Sequence, residues 1–396
     1  MKGLIISISC LLMSMNIMAQ DHIIQRQTKI SQQTKTKPAS KPNSKAKPSL
    51  LPKSFSMTPS QMNELGADYY YGRNGRNKDY AEAVKWYRKS AEHGNAAGQY
   101  NLGYMYQNGL GVATDYAEAI KWYRKSVAQG DAMGQYGLGF TYQNGLGVAM
   151  DYAEAIKWYR KSAEQGNSWG QNQLGVMYQN GLGVATDYIE AVKWYRKSAE
   201  QGNTVGQYQL GVMYHFGWGV AIDYAEAVKW YRMSAEQGNS WGQNQLGVMY
   251  GNGLGVATDY AEAVKWYRKS AEQGNAMGQY NLGVMFENGY GVSKNLTEAR
   301  KWYHKSAEQG NAMGQAQLGA MYGIGLGVAT DYAEAVKWYR KSAEQGYAMG
   351  QYNLGVMFEN GYGVSKNLTE ARNWYEKAAL QGLEIAKERL KALNGN

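Results

Sequence analysis

The stretch NAAGQYNLGYMYQNGLGVATDYAEAIKWYRKSVAQG, residues 95–130, returns with small changes until the chain ends. Its most constant feature is a tryptophan followed by a tyrosine. This pair recurs every 36 residues, with the tryptophans at Trp86, Trp122, Trp158, Trp194, Trp230, Trp266, Trp302, Trp338 and Trp374. A fixed period of this length is typical of a solenoid, in which each unit buries its apolar face only by stacking on its neighbours.

Apolar spacing predicts two helices in each unit. Residues 99–106 carry apolar side chains at helical spacing, and Asn108-Gly109 supplies a stop where the chain can turn left-handed, which defines helix A. Asp115 then fits a helix N-cap with Glu118 three residues later, a capping-box arrangement, and an amphipathic helix B follows. The unit is therefore predicted to be a helix pair joined by a glycine-bearing loop.

Two glycines inside helix A need a physical reason, because each costs about 1 kcal/mol relative to alanine in a helix. Gly98 and Gly103 stand five residues apart, and equivalent glycines recur in later units. We expect a close contact between helices A and B, with Trp122 as the large residue that faces these small positions.

The pattern LGxMYxNGxGVxxDYxEAxKWYRKSAEQG resembles the Sel-one-like repeat, a relative of the tetratricopeptide repeat with a longer, glycine-bearing loop. The match runs in nine copies from Met62 to about Gly382. The resemblance implies an all-α fold, a right-handed α/α superhelical solenoid of nine helix-pair repeats of 36 residues. It also implies an adaptor or scaffold for other proteins, commonly exported in bacteria, and it implies no reaction.

The ends of the chain differ from the repeats. Residues 1–19 combine Lys2, an apolar core and a small residue at Ala19, the layout of a signal peptide, so we expect an exported protein, periplasmic or secreted. Residues 20–57, rich in Lys, Pro, Ser and Gln, indicate a disordered basic linker. The predicted array then comprises an N-terminal capping repeat at 58–94, eight repeats at 95–382 and a C-terminal capping helix at 383–396.

The formal charge of +10 is concentrated before the repeats. Residues 20–57 hold eight Lys or Arg residues against one Asp, a net +7, so the array is nearly neutral and gives no indication of a nucleic-acid partner. Two interpretations of the linker remain open. It is either a solvated spacer or a segment that contacts an anionic surface of the cell envelope electrostatically.

The sequence offers no pattern for catalysis, a metal or a cofactor. The four histidines, His22, His93, His215 and His304, fall in separate segments, which argues against a metal site. The Asp and Glu of each helix B are explained by capping, and the glycine-rich loops lack the lysine of a phosphate loop. We therefore predict that the protein is not an enzyme and binds no cofactor.

One face of helix A varies between copies, whereas the core positions are nearly constant. The resemblance implies that helix A lines the concave side, so we predict a groove there that binds protein segments. The groove candidates are Met133, Tyr136, Trp169, Tyr208, Trp241, Met277, Tyr280 and Tyr352. The alternative is that Trp169 and Trp241 pack between neighbouring units. A second candidate patch is His215, Phe216 and Trp218, in the one loop that inserts two aromatic residues.

Rigid aromatic side chains beside amides favour recognition of protein segments, so a binding scaffold is the main functional hypothesis. The alternative is an envelope protein that binds peptidoglycan or carbohydrate, with Tyr and Trp rings stacked on sugar rings. A cell-wall hydrolase is the hypothesis that the sequence supports least, because no serine stands apart from the repeated positions.

The signal-peptide hypothesis predicts the mass of the mature protein. Cleavage after Ala19 removes the only cysteine, Cys10, so the mature chain begins at Gln20 and carries no thiol. Intact-mass measurement of the protein purified from its native cells checks both points. A mass that includes Met1 through Ala19 would contradict the hypothesis.

Overall fold

The computed structural model describes residues 57–394, and all regular structure in that range is α-helical. The helix A segments are α1 (Pro59–Tyr71), α3 (Ala96–Asn108), α5 (Ala132–Asn144), α7 (Ser168–Asn180), α9 (Thr204–Phe216), α11 (Ser240–Asn252), α13 (Ala276–Asn288), α15 (Ala312–Ile324) and α17 (Ala348–Asn360). The helix B segments are α2 (Tyr80–Glu92), α4 (Tyr116–Ala128), α6 (Tyr152–Glu164), α8 (Tyr188–Glu200), α10 (Tyr224–Glu236), α12 (Tyr260–Glu272), α14 (Leu296–Glu308), α16 (Tyr332–Glu344) and α18 (Leu368–Leu380). A last helix, α19 (Glu384–Asn394), follows the ninth pair.

These helices confirm the predicted all-α solenoid of nine helix pairs. The chain divides into two compact units between Gln201 and Gly202. Within each unit, helix A packs on helix B of its own repeat, and helix B packs on helix A of the next. The predicted signal peptide, and the predicted linker apart from Met57, lie outside the described residues, and the handedness of the superhelix stays a prediction.

The N-termini of the helices differ from the sequence-based prediction in two details. Helix A of the second repeat begins at Ala96, three residues earlier than predicted, because Asn95 caps it by accepting a hydrogen bond from the Gly98 N–H at 2.7 Å. Asp115 caps helix B as predicted, since its Oδ1 accepts from the Glu118 N–H at 2.9 Å. Glu118 does not return to the cap but accepts from Lys121 Nζ at 2.9 Å, so the capping box is only half formed.

The helix contacts correct the expectation about Trp122. A Cβ placed on Gly103 would lie 2.8 Å from the ring of Tyr123, and one on Gly98 would lie 2.8 Å from the Cβ of Ser90 in the preceding helix B. The large residue that faces the glycine is therefore the tyrosine. Trp122 precedes it by one residue and so points about 100° further round the helix.

Buried polar side chains join neighbouring repeats at constant spacing. In the second unit, Ser234 Oγ donates to the carbonyl of Thr204 at 2.7 Å, 30 residues earlier. Gln243 Nε2 donates to the carbonyl of Ala235 in the preceding helix B at 3.1 Å, and its Oε1 accepts from Gln273 at 2.7 Å. One glutamine of helix A thus holds the ends of two successive B helices, and the repeat is kept in register.

The closing helix α19 is attached by an ion pair. Arg389 donates to both oxygens of Glu359, from Nε at 2.8 Å and from Nη2 at 2.6 Å, and the Tyr375 hydroxyl donates to the same carboxylate at 2.7 Å. Burial opposes ionisation of Glu359, but the hydrogen bonds from Arg389 and Tyr375 outweigh it and hold the pKa of the carboxyl below its ordinary value.

Two glycines of α11 test the tight helix contact, because both lie near the same tyrosine. A Cβ on Gly247 would lie 2.7 Å from the Tyr267 ring, whereas one on Gly251 would meet nothing closer than the Tyr267 hydroxyl at 3.6 Å. We expect Gly247→Ala to destabilise the fold by about 1–3 kcal/mol through overpacking. Gly251→Ala should instead stabilise it by about 0.5–1 kcal/mol through helix propensity. Chemical denaturation of both variants checks the contrast, and equal effects would contradict the tight contact.

The ion pair at α19 predicts a pH dependence. The folded pKa of Glu359 lies below its ordinary value of 4.5, so the pair stabilises the fold at higher pH, and this contribution is lost as the pH falls through the folded pKa. Arg389→Gln should cost about 0.5–1 kcal/mol at neutral pH, because the pair is partly exposed. Melting curves from about pH 7 to about pH 3 should show the difference between wild type and variant shrinking towards zero. A difference that stays constant over that range would rule out the ionised pair as its cause.

Candidate binding surface

The predicted groove residues all lie on helix A segments, and their accessibility differs between the two units. In the first unit, Met133, Tyr136 and Trp169 are buried, with Trp169 only 8% exposed. The five candidates of the second unit are Tyr208, Trp241, Met277, Tyr280 and Tyr352. Each of these residues is partly exposed. The second unit therefore presents the accessible part of the predicted stripe. We call these five residues the helix A face, and their role in binding stays a prediction.

Each tyrosine of the helix A face rests on a buried tyrosine of its own helix B, 23 residues later. The pairs are Tyr208–Tyr231, Tyr280–Tyr303 and Tyr352–Tyr375, with ring centroids 6.0, 5.7 and 5.5 Å apart. The inner ring is held by the glycine contact described above, so the outer ring has a firm support. Burial raises the pKa of Tyr208 to about 12.

Amide side chains run beside these rings and connect neighbouring repeats. Asn281 Nδ2 donates to Asn244 Oδ1 at 2.9 Å, and Gln317 Nε2 donates to Glu287 Oε2 at 2.9 Å. A primary amide has two donor hydrogens and two acceptor lone pairs, so a single bond leaves capacity for a ligand. Asn281 is partly exposed and can hydrogen-bond a polypeptide backbone while the buried Asn244 fixes its orientation.

Methionines occupy the position of Met277 in three successive repeats. Met277 and Met313 are partly exposed, and Met349 is exposed. Asn311 Nδ2 lies 3.1 Å from Met277 Sδ, which ties that side chain to the next repeat. Because thioether side chains are flexible and polarizable, such a row adapts to apolar groups of different shapes.

Charge is distributed unequally between the two kinds of helix. Among Asp, Glu, Lys, Arg and His, the helix A segments of the second unit contain only His215, Glu287 and Glu359. The B helices carry exposed ion pairs three residues apart, such as Lys229 Nζ to Glu226 at 3.0 Å. The helix A face therefore offers aromatic, amide and thioether groups with almost no formal charge.

The second candidate patch forms a stack of exposed rings. The rings of His215 and Phe216 lie 4.5 Å apart and nearly parallel, and those of Phe216 and Trp218 lie 5.2 Å apart. Phe216 and Trp218 are 49% and 38% exposed. Burial lowers the pKa of His215, which favours the uncharged imidazole. The structure thus brings the three predicted residues together at the end of α9.

Sequence analysis missed two further pairs of exposed aromatic residues. Tyr260 and Tyr290 stack with centroids 5.0 Å apart, and Tyr332 and Tyr362 stack at 4.8 Å. The sequence feature that could have indicated these pairs is a tyrosine in the loops of the seventh and ninth repeats, where most other loops have leucine. Its partner lies 30 residues earlier, so only the stacking of repeats reveals the pair.

Within residues 57–394, no group of three or more His, Cys, Asp or Glu side chains converges in a way that could hold a metal ion. No helix in the same range has both the length and the apolar character needed to span a membrane.

Comparison with known proteins identifies the family. A family model described as Sel1 repeat matches nine segments, residues 62–95, 96–131, 132–167, 170–203, 204–239, 242–275, 276–311, 312–347 and 348–383. A crystal structure of a protective antigen from uropathogenic Escherichia coli strains, which displays an SLR fold, is 46% identical, with a TM-score of 0.64 over 84% of this chain and 71% of that one. A Sel1 repeat protein from Oxalobacter formigenes is 30% identical, with a TM-score of 0.56 over 88% of this chain and 98% of that one. No curated protein matches the chain.

The matched segments cover nearly all of the described residues and follow the helix pairs. Sel1 repeat proteins are generally scaffolds that bind other proteins, and they are typically not enzymes. The chain belongs to the Sel1 repeat family.

Proposed function

We propose that this protein is an exported scaffold that binds an extended segment of another protein along the helix A face of its second unit. One observation carries the proposal. Tyr208, Trp241 and Tyr280 remain partly exposed, although the core leucines of the same helices, such as Leu246, are completely buried. Large aromatic side chains that pack against the core, as Tyr208 and Tyr280 do, and still remain partly accessible are characteristic anchors of protein interfaces.

The neighbouring side chains supply the remaining contacts that a polypeptide segment requires. Asn281, which is partly exposed, offers donors and acceptors to its backbone, and Met277 and Met349 offer adaptable contacts to its apolar side chains. A charge buried without a partner is costly. The nearly uncharged face therefore favours a segment with apolar anchors and few charged residues.

Export is part of the proposal and rests on the sequence. Residues 1–19 have the layout of a signal peptide, and the related Escherichia coli protein is a protective antigen, which supports exposure outside the cytoplasm here too. We place the protein in the periplasm or outside the cell. The basic segment at 20–57 fits an additional contact with an anionic envelope surface.

A triple variant tests the helix A face. Tyr208→Ala, Trp241→Ala and Tyr280→Ala together should abolish binding of the partner that the wild type captures from its own cell envelope, because each anchor contributes about 2 kcal/mol or more at an interface. Circular dichroism should stay nearly unchanged, since these side chains are not fully buried. Affinity capture with partner identification, followed by titration of that partner, provides the measurement.

The matched control removes charge from the other helices of the same unit. Lys229→Ala, Lys265→Ala and Lys337→Ala change three exposed residues of the B helices and should leave capture intact. A folded triple aromatic variant that binds the partner as well as the wild type would refute the helix A face as the binding site.

A further inference from the structure

The loops between helices A and B of the second unit, together with the helix ends beside them, present a separate set of exposed rings. We call this set the loop edge, and it consists of Phe216, Trp218, Tyr260, Tyr290, Tyr332 and Tyr362. These side chains are between 38% and 49% exposed and are therefore classed as exposed, whereas all five residues of the helix A face are only partly exposed. None of them is required by the glycine and tyrosine contacts that hold the helix pairs together.

The loop backbone places the stacked pairs. Gly291, with φ of 66°, lies directly against the backbone of Tyr260 at the start of α12, where no Cβ could fit. This close approach sets the preceding residue, Tyr290, over the ring of Tyr260 with an interplanar angle of 18°. Gly363 repeats the arrangement two repeats later, where the rings of Tyr332 and Tyr362 are inclined by 13°. Both pairs are therefore fixed, nearly parallel platforms.

The aromatic loop residues recur at a regular interval. Trp218, Tyr290 and Tyr362 occupy the same loop position in the fifth, seventh and ninth repeats, 72 residues apart. Leu254 and Leu326 fill that position in the repeats between them and are partly buried. Packed helices lie about 10 Å apart, so platforms in alternate repeats are separated by roughly 20 Å.

We propose that the loop edge binds a linear, β-linked polysaccharide. The face of an aromatic ring is electron-rich and attracts C–H groups, and a β-linked pyranose offers a flat face of C–H groups with hydroxyls at its rim. The tyrosine hydroxyls and the exposed Lys294 and Lys366 beside the loops supply hydrogen bonds to that rim. A polymer of identical units matches aromatic rings that recur at a constant interval, whereas a protein segment has no reason to repeat its side chains in this way.

Affinity electrophoresis through gels that contain a soluble polysaccharide tests the proposal. The probes are hydroxyethyl cellulose and glycol chitin, which are both β-linked and differ in the acetamido group, and dextran, which is α-linked. We expect at least one β-linked polymer to retard the protein and dextran to leave it unaffected. The comparison of the two β-linked probes shows whether the acetamido group contributes to recognition.

The chain itself supplies the matched variants. Tyr290→Leu with Tyr362→Leu installs the residue that Leu254 and Leu326 provide at this position, so the loops keep a side chain that the fold already accepts. Loss of both rings should weaken polysaccharide binding by about tenfold or more. The converse change, Leu254→Tyr, places a ring over Tyr224, whose backbone Gly255 contacts, and this added platform should strengthen binding by about tenfold through multivalency.

The outcomes separate this site from the helix A face. The triple variant Tyr208→Ala, Trp241→Ala and Tyr280→Ala should bind the polysaccharide like the wild type, because none of its positions belongs to the loop edge. The proposal is overturned if neither β-linked polymer retards the wild type or if dextran retards it equally. It is also overturned if the double leucine variant binds unchanged, or if Leu254→Tyr brings no gain.

Discussion

The contact between a helix A glycine and a helix B tyrosine is the constraint on which the rest of the structure depends. The Tyr267 ring lies where a Cβ on Gly247 would stand only 2.7 Å away, and the same contact recurs in each repeat for which the pair is described. Because the tyrosine fills this space completely, helices A and B approach closely and the pair becomes a rigid unit. The serine and glutamine hydrogen bonds then join one helix pair to the next, between residues 30 positions apart.

These contacts and hydrogen bonds explain why the sequence varies between repeats only at certain positions. The glycines, tyrosines and glutamines between the helices cannot change without overlap or a lost buried hydrogen bond, whereas side chains such as Trp241 and Tyr290 take part in neither contact. Positions such as Trp241 on the helix A face and Tyr290 on the loop edge are therefore free to differ. A solenoid built in this way gains binding surfaces without altering its core.

The two surfaces differ in chemistry because they are built from different backbone elements. The helix A face consists of tyrosine, tryptophan and methionine side chains that project from regular helices, with amide side chains on the same helices. The loop edge depends on glycines in the left-handed region, which bring Tyr290 down onto the helix of the preceding repeat. The first surface varies from one repeat to the next, and the second returns in alternate repeats. Membership of the Sel1 repeat family accounts for the scaffold that carries both surfaces.

The sequence by itself determined the period, the two helices of each repeat, the Asp N-caps such as Asp115 and the family, because all of these depend on local spacing of a few residues. It did not determine which aromatic residue faces the glycine, since Trp122 and Tyr123 are adjacent and only the packing of helix B decides which one turns inwards. The stacking of Tyr260 on Tyr290, and the difference in burial between Trp169 and Trp241, likewise required the tertiary structure. The physical reason is that these properties arise from contacts between residues about 20 to 30 positions apart, whose geometry is set by helix packing rather than by the local sequence.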